Sequence, residues 1–119
     1  MSKLLRKCPV CESEMFVREI ACDSCKTTMR GDFSVPELMF LPDEDLEFIM
    51  QFVLLSGSLK DMAKEMSISY PTIRNRLDGI ISKIKDFNEN KKTRKSGILK
   101  RLENNEISVE EAEEMLRRL

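Results

Sequence analysis

Four cysteines and no histidine set the tightest constraint on this chain. The cysteines fall in two pairs, Cys8-Pro9-Val10-Cys11 and Cys22-Asp23-Ser24-Cys25, with ten residues between them. A segment this small cannot enclose a hydrophobic core of its own, so something else must hold it. Two Cys-x-x-Cys pairs at this interval form the ligand pattern of a tetrahedral structural zinc site. Binding at such a site supplies roughly 10–16 kcal/mol of apparent stabilisation, enough to staple the segment. Other uses of the sulfurs fit less well. Rubredoxin-type iron usually takes a longer interval and more aromatic packing. A thioredoxin-type pair needs a helix start after a strand. Disulfides need an oxidising compartment, and Met-Ser-Lys-Leu-Leu-Arg-Lys lacks the apolar stretch of an export signal. A catalytic zinc keeps a position open for water, which four cysteines close. The expectation is one structural Zn2+ held by Cys8, Cys11, Cys22 and Cys25, with short strands from 14–20 and 27–33.

The same lack of histidine removes every Ser-His and Cys-His catalytic pair. Acidic residues are plentiful, but none makes a recognisable pair with a base, a metal or a phosphate loop, so no enzymatic activity is expected. The ribbon resembles those at the ends of many nucleic-acid and regulatory proteins. Their knuckles often carry glycine after the second cysteine; here Glu12 and Lys26 stand there.

The stretch 58–87 reads as a short helix, a tight turn and a longer helix. Ser58 is placed to cap the first helix, with Asp61 as its box partner. Met62, Ala63 and Met66 give that helix an apolar side, and Ser67-Ile68 make the turn. Ser69 caps the second helix, and Pro71 is tolerated in its first turn because its missing N–H has no intrahelical partner there. Ile73, Leu77, Ile80, Ile81 and Ile84 follow at helical spacing. Thr72, Asn75, Arg76, Gly79 and Lys83 are expected away from that face. The run Leu59–Asp78 resembles the helix-turn-helix of bacterial regulators such as sugar-operon repressors. Ser67 departs from that pattern, which usually has glycine, and Arg76 stands where an apolar residue is common. A plain helical hairpin in a core is the alternative.

Charge is unevenly spread. Residues 69–102 hold ten Lys and Arg against three Asp and Glu, a net +7, while 36–68 carry −5 and 103–119 carry −4. A basic block on one element is the footprint of a phosphate-binding surface, although solvated charge runs are also common. Asn reads adenine and Arg reads guanine in bidentate fashion. Tyr70, Thr72, Asn75 and Arg76 are therefore expected near base edges, with Ser69 at the helix start. Lys60, Arg74, Lys83 and the later cations Lys91, Lys92, Arg94 and Lys95 are expected near phosphates.

Pro42 and three following acids open a further helix to about Leu55. It is apolar on more than one side and is expected to be a central support. Residues 88–97 read as a flexible basic linker. In 98–119, Asn104-Asn105-Glu106 makes a turn between two helices, and Ser108–Glu111 forms a capping box. This resembles the short C-terminal oligomerisation hairpin appended to many bacterial proteins, and it needs a partner surface, on its own chain or on another copy.

The four-cysteine ribbon, the run Leu41–Ile49 and the run Ser67–Asp78 occur together in that order. On these the chain resembles the family catalogued as domain of unknown function number 2089, over about residues 7–87. The resemblance implies a ribbon plus helix-turn-helix fold and membership among expected DNA-binding regulators. The expected architecture is mainly α: a zinc ribbon over 1–35, a helix-turn-helix domain over 36–87, a basic linker over 88–97 and a helical hairpin over 98–119. The expected function is a cytoplasmic transcriptional regulator that binds double-stranded DNA as a homodimer or higher homo-oligomer. No membrane partner is expected, since no apolar run approaches a membrane span. A zinc-containing protein-interaction adaptor without DNA binding is the alternative.

Overall fold

The computed structural model describes residues 3–119, which divide into two compact units, with the boundary between residues 42 and 43. The first unit holds two short strands, β1 (Val17–Ala21) and β2 (Thr28–Phe33), paired antiparallel. Glu19 faces Arg30, Ile20 faces Met29 and Ala21 faces Thr28. The register then slips, so that Val17 meets Phe33. The first pair of cysteines lies in its own small hairpin, closed by the Lys7–Glu14 bridge. The second lies at the tip joining β1 to β2. A one-turn 3-10 helix, Glu37–Phe40, follows. Arg6 binds this unit together: it reaches Glu14 at 3.6 Å and Glu37 at 4.0 Å, and it lies 5.2 Å over the Phe40 ring.

The second unit is entirely helical: α1 (Asp43–Leu54), α2 (Leu59–Met66), α3 (Tyr70–Glu103) and α4 (Val109–Arg117). Its N-terminal half is a three-helix cluster around Phe48, Met62, Ile73 and Ile80, all buried. The three serine caps expected from sequence are made, but Asp61 does not complete a box with Ser58, whose N–H donates to the Leu55 carbonyl instead. Ser58 Oγ accepts the Asp61 N–H, Ser69 Oγ accepts the Thr72 N–H, and Ser108 and Glu111 form the reciprocal box.

Three of the helices end the same way. After α1, α2 and α3 the chain turns left-handed at Ser56, Ser67 and Asn105, with φ of 54°, 54° and 57°, and after α1 Gly57 follows at 78°. The next residue's N–H then reaches back five residues, as Gly57 to Phe52, Ile68 to Ala63 and Glu106 to Arg101. These are Schellman closures, which satisfy carbonyls that the helix leaves without partners.

Two expectations are corrected. Residues 88–97 are not a flexible tether. They lie inside α3, which continues unbroken for 34 residues. Lys, Glu, Asn, Arg and Ser all permit helix, and only Gly97 opposes it, by roughly 1 kcal/mol against alanine. The C-terminal hairpin is therefore the end of α3 with α4 folded back on it, Ile98 and Ala112 being its buried contacts. The second correction concerns α1. It is not surrounded: Phe48 faces the core, whereas Met50, Val53 and Leu54 are exposed by 62, 67 and 67%.

Candidate nucleic-acid interface and metal centre

The two cysteine knuckles are built alike. In the first, Cys8 N–H donates to the Ser13 carbonyl at 2.8 Å and Glu12 N–H to the Cys8 carbonyl at 2.9 Å. In the second, Cys22 N–H donates to Thr27 at 2.8 Å and Lys26 N–H to Cys22 at 2.9 Å. Glu12 and Lys26 both hold φ of 61°, the left-handed turn for which glycine is the easy residue. Their departure from the usual glycine thus costs strain without altering the knuckle. The Val10 N–H also donates to Cys8 Sγ at 3.4 Å. The thiols of Cys11 and Cys25 titrate below their usual range, chiefly through the hydroxyls of Ser13 and Thr27, with backbone groups and the paired cysteine adding to it. Such bonds favour thiolate, the form that binds metal.

Donor chemistry and both knuckle backbones therefore fit zinc, and the cysteines form two close pairs. Among the described residues, however, no three Cys, Asp or Glu side chains converge as a ligand set. Each knuckle supplies one half of a four-sulfur ligand set.

The helix-turn-helix is α2, the Ser67–Ser69 turn and the start of α3. Ile68 is half-buried in the turn, as expected. Ser69 and Thr72 share a hydroxyl contact of 2.8 Å that fixes the first turn of α3. Tyr70, Thr72, Arg74 and Asn75 are exposed there, and Lys60 is exposed on α2. Asn75 stands two residues past the buried Ile73, about 200° around the helix, and so points away from the core. Arg74 pairs with Asp78 one turn on, at 3.4 Å.

Arg76 is placed differently from the sequence expectation, and Lys83, exposed as expected, is held by an ion pair. Arg76 is half-buried, its guanidinium 5.2 Å over the Phe48 ring of α1. Lys83 Nζ reaches Asp45 Oδ2 of α1 at 2.5 Å. Both cations link α3 to α1; Arg76 is drawn in over Phe48, while Lys83 stays about half exposed in its pair with Asp45. The signal was present in the spacing. Positions 73, 76, 80 and 83 recur at intervals of three and four, one stripe of a helix, and Ile73 and Ile80 are its buried members. Asp45 and Phe48, which receive the two cations, were not singled out as partners, because nothing local to α1 shows what α3 will lay across it.

Two family models match the chain. The one described as "DUF2089 zinc ribbon" covers residues 8–39. The one described as "Domain of unknown function (DUF2089)-HTH" covers residues 41–86. No curated protein and no solved structure matches. The two models take in about two thirds of the sequence, one directly after the other, and the chain belongs to the DUF2089 family.

Proposed function

We propose that this chain is a DNA-binding transcriptional regulator that reads duplex with the first two turns of α3. The observation that carries this reading is the capped start of α3, where Tyr70, Thr72, Arg74 and Asn75 stand exposed on a helix-turn-helix. Small polar groups and an Asn at a helix start suit the major groove, about 12 Å wide and 8.5 Å deep. Asn75 is assigned to an adenine edge, and Lys60 and Arg74 to phosphates. Arg76 and Lys83 are withdrawn from those roles, since α1 already holds them.

The later cations are also reassigned. Lys91 lies about 24 Å along a continuous helix from Asn75, and Lys95 about 30 Å, at 1.5 Å per residue. Neither reaches the groove that Asn75 enters. They suit phosphates on a neighbouring stretch of duplex.

In this reading Cys8, Cys11, Cys22 and Cys25 hold a single structural zinc ion, whose chemical contribution is to tie the two knuckles together. The protein acts without catalysis, in the cytoplasm, and its C-terminal hairpin serves self-association. Selection of bound duplexes from a random library tests the reading. An enriched motif is expected; recovery of unselected sequence would overturn it. The adaptor reading draws on one observation: Asp78 partly neutralises Arg74, so the exposed face is less cationic than the sequence implied. Retention of a protein partner after nuclease treatment, with no duplex shift, would favour it.

A further inference from the structure

Between its two packed ends α3 runs bare. Residues 88–97 are all exposed except the half-buried Arg94, and none of them is apolar. They set Lys91, Lys92, Arg94 and Lys95 against Glu89 alone, a net +3. Arg94 Nε donates to the Asn90 carbonyl at 3.4 Å. Other cations of α3 are matched within the chain: Arg74 with Asp78, Lys83 with Asp45 and Arg101 with Glu106. Lys91, Lys92 and Lys95 make no ion pair among the described residues.

Their placement separates these lysines from the reading end of the helix. At about 3.6 residues per turn, the three lie within about 100° of one another and about 100–160° around from Asn75. They point to the side of, or away from, the duplex that Asn75 enters. Distance acts in the same sense. The major groove winds around the duplex, whereas a continuous helix seated in it leaves on a tangent. About 24–30 Å beyond Asn75 the helix axis has risen on the order of 15 Å above the phosphates. A gentle helical bend recovers only about 5 Å of that. A four-carbon lysine stem spans about 6 Å. The two together fall short.

The chemistry of the patch selects its partner. A protein interface is built around an apolar and aromatic core and is depleted in lysine. A helix lies on a membrane through an apolar face. Residues 88–97 offer neither. A phosphate backbone needs only cations, and binding is driven by the counterions it releases. We propose that Lys91, Lys92 and Lys95 hold a second segment of duplex DNA, so that one chain bridges two segments. This rests on the assignment of Asn75 to a duplex: that end selects sequence, and the lysines hold whatever duplex lies beside it.

The test immobilises the selected duplex on beads, in excess over the zinc-loaded full chain so that the reading ends are occupied. A labelled duplex of unrelated sequence is then added. Lys91→Gln, Lys92→Gln and Lys95→Gln are made together, and circular dichroism confirms an unchanged helical signal. A companion variant carries Lys91→Arg, Lys92→Arg and Lys95→Arg. The parent is expected to retain the labelled duplex. The glutamine variant should retain at least tenfold less while holding the selected duplex within twofold of the parent, and the arginine variant should restore retention. Retention indifferent to the glutamine changes would overturn the inference, since two reading ends of an oligomer would then account for it. So would a glutamine variant with a shallower salt slope on the selected duplex alone, because a bent duplex would then reach the patch. Asn75-dependent binding of the selected duplex, with no labelled duplex retained, would overturn the inference and leave the DNA reading in place. Lysine-dependent retention without preference for the selected duplex would overturn the reading instead.

Discussion

Ser67 holds φ of 54° and ψ of 38° at the junction of the helix-turn-helix, where most residues are strained. An L-residue in this conformation costs about 1–2 kcal/mol, because Cβ crowds the following carbonyl. Glycine removes that cost but loses about 0.5–1 kcal/mol more backbone entropy on folding. The Ser67 hydroxyl makes no hydrogen bond with the described residues, so nothing polar is lost on its removal. Ser67→Gly is therefore expected to stabilise the helical unit by roughly 0.5–1 kcal/mol, the difference of those two terms. For a unit of this size that is a rise in Tm of roughly 2–8 °C. Thermal melts followed by circular dichroism measure it. Ser67→Ala should lie near the parent, because alanine meets the same crowding, and Ser67→Val should fall below both. Duplex affinity should not change, since the turn keeps its geometry. A lower Tm for Ser67→Gly would refute the reasoning and show that the serine side chain itself supports the turn.

Lys83→Gln should cost up to about 1 kcal/mol, the range of a partly exposed ion pair, and should leave the salt dependence of duplex binding unaltered. A fall of about one in that slope would restore Lys83 as a phosphate contact. Gly97→Ala meets nothing within 4 Å of the added Cβ, so it should stabilise a helical 88–97 by up to about 1 kcal/mol; no change in helicity or Tm would return the segment to a tether. Native mass spectrometry should find one zinc per chain, and removing it with a chelator should unfold residues 8–33 while α1 to α4 keep their helical signal. Two ions, or loss of the helical signal as well, would contradict the assignment.

Much of this fold was legible because its signals are local. Ser58, Ser69 and Ser108 act as caps where the residues stand, and the paired cysteines form knuckles within six residues. The turn departure at Ser67 and the knuckle departures at Glu12 and Lys26 were visible as missing glycines. The structure shows these residues adopting the glycine conformation. What was not legible depended on distant neighbours. Polar composition marked 88–97 as a linker, yet a helix begun and ended by packed segments runs through polar residues at little cost. Arg76 looked exposed because it is charged, and Lys83, which is exposed, looked free of a partner. Phe48, 28 residues before Arg76, draws it inward, and Asp45, 38 residues before Lys83, pairs with it at the surface. The exposed side of α1 was hidden for a related reason: apolar pattern tells which side chains avoid water, not how many sides of a helix the chain can cover.

The central claim is that Asn75 and its neighbours enter a duplex. Affinity of the zinc-loaded chain for a selected duplex, measured across a salt series beside Asn75→Ala, tests it most directly. Binding should weaken steadily as salt rises, in proportion to the phosphates contacted. Asn75→Ala should lose about tenfold or more on that site, keep the same salt slope, and bind unrelated duplex as the parent does. Equal affinity of parent and variant on the selected site, or binding indifferent to salt, would contradict it.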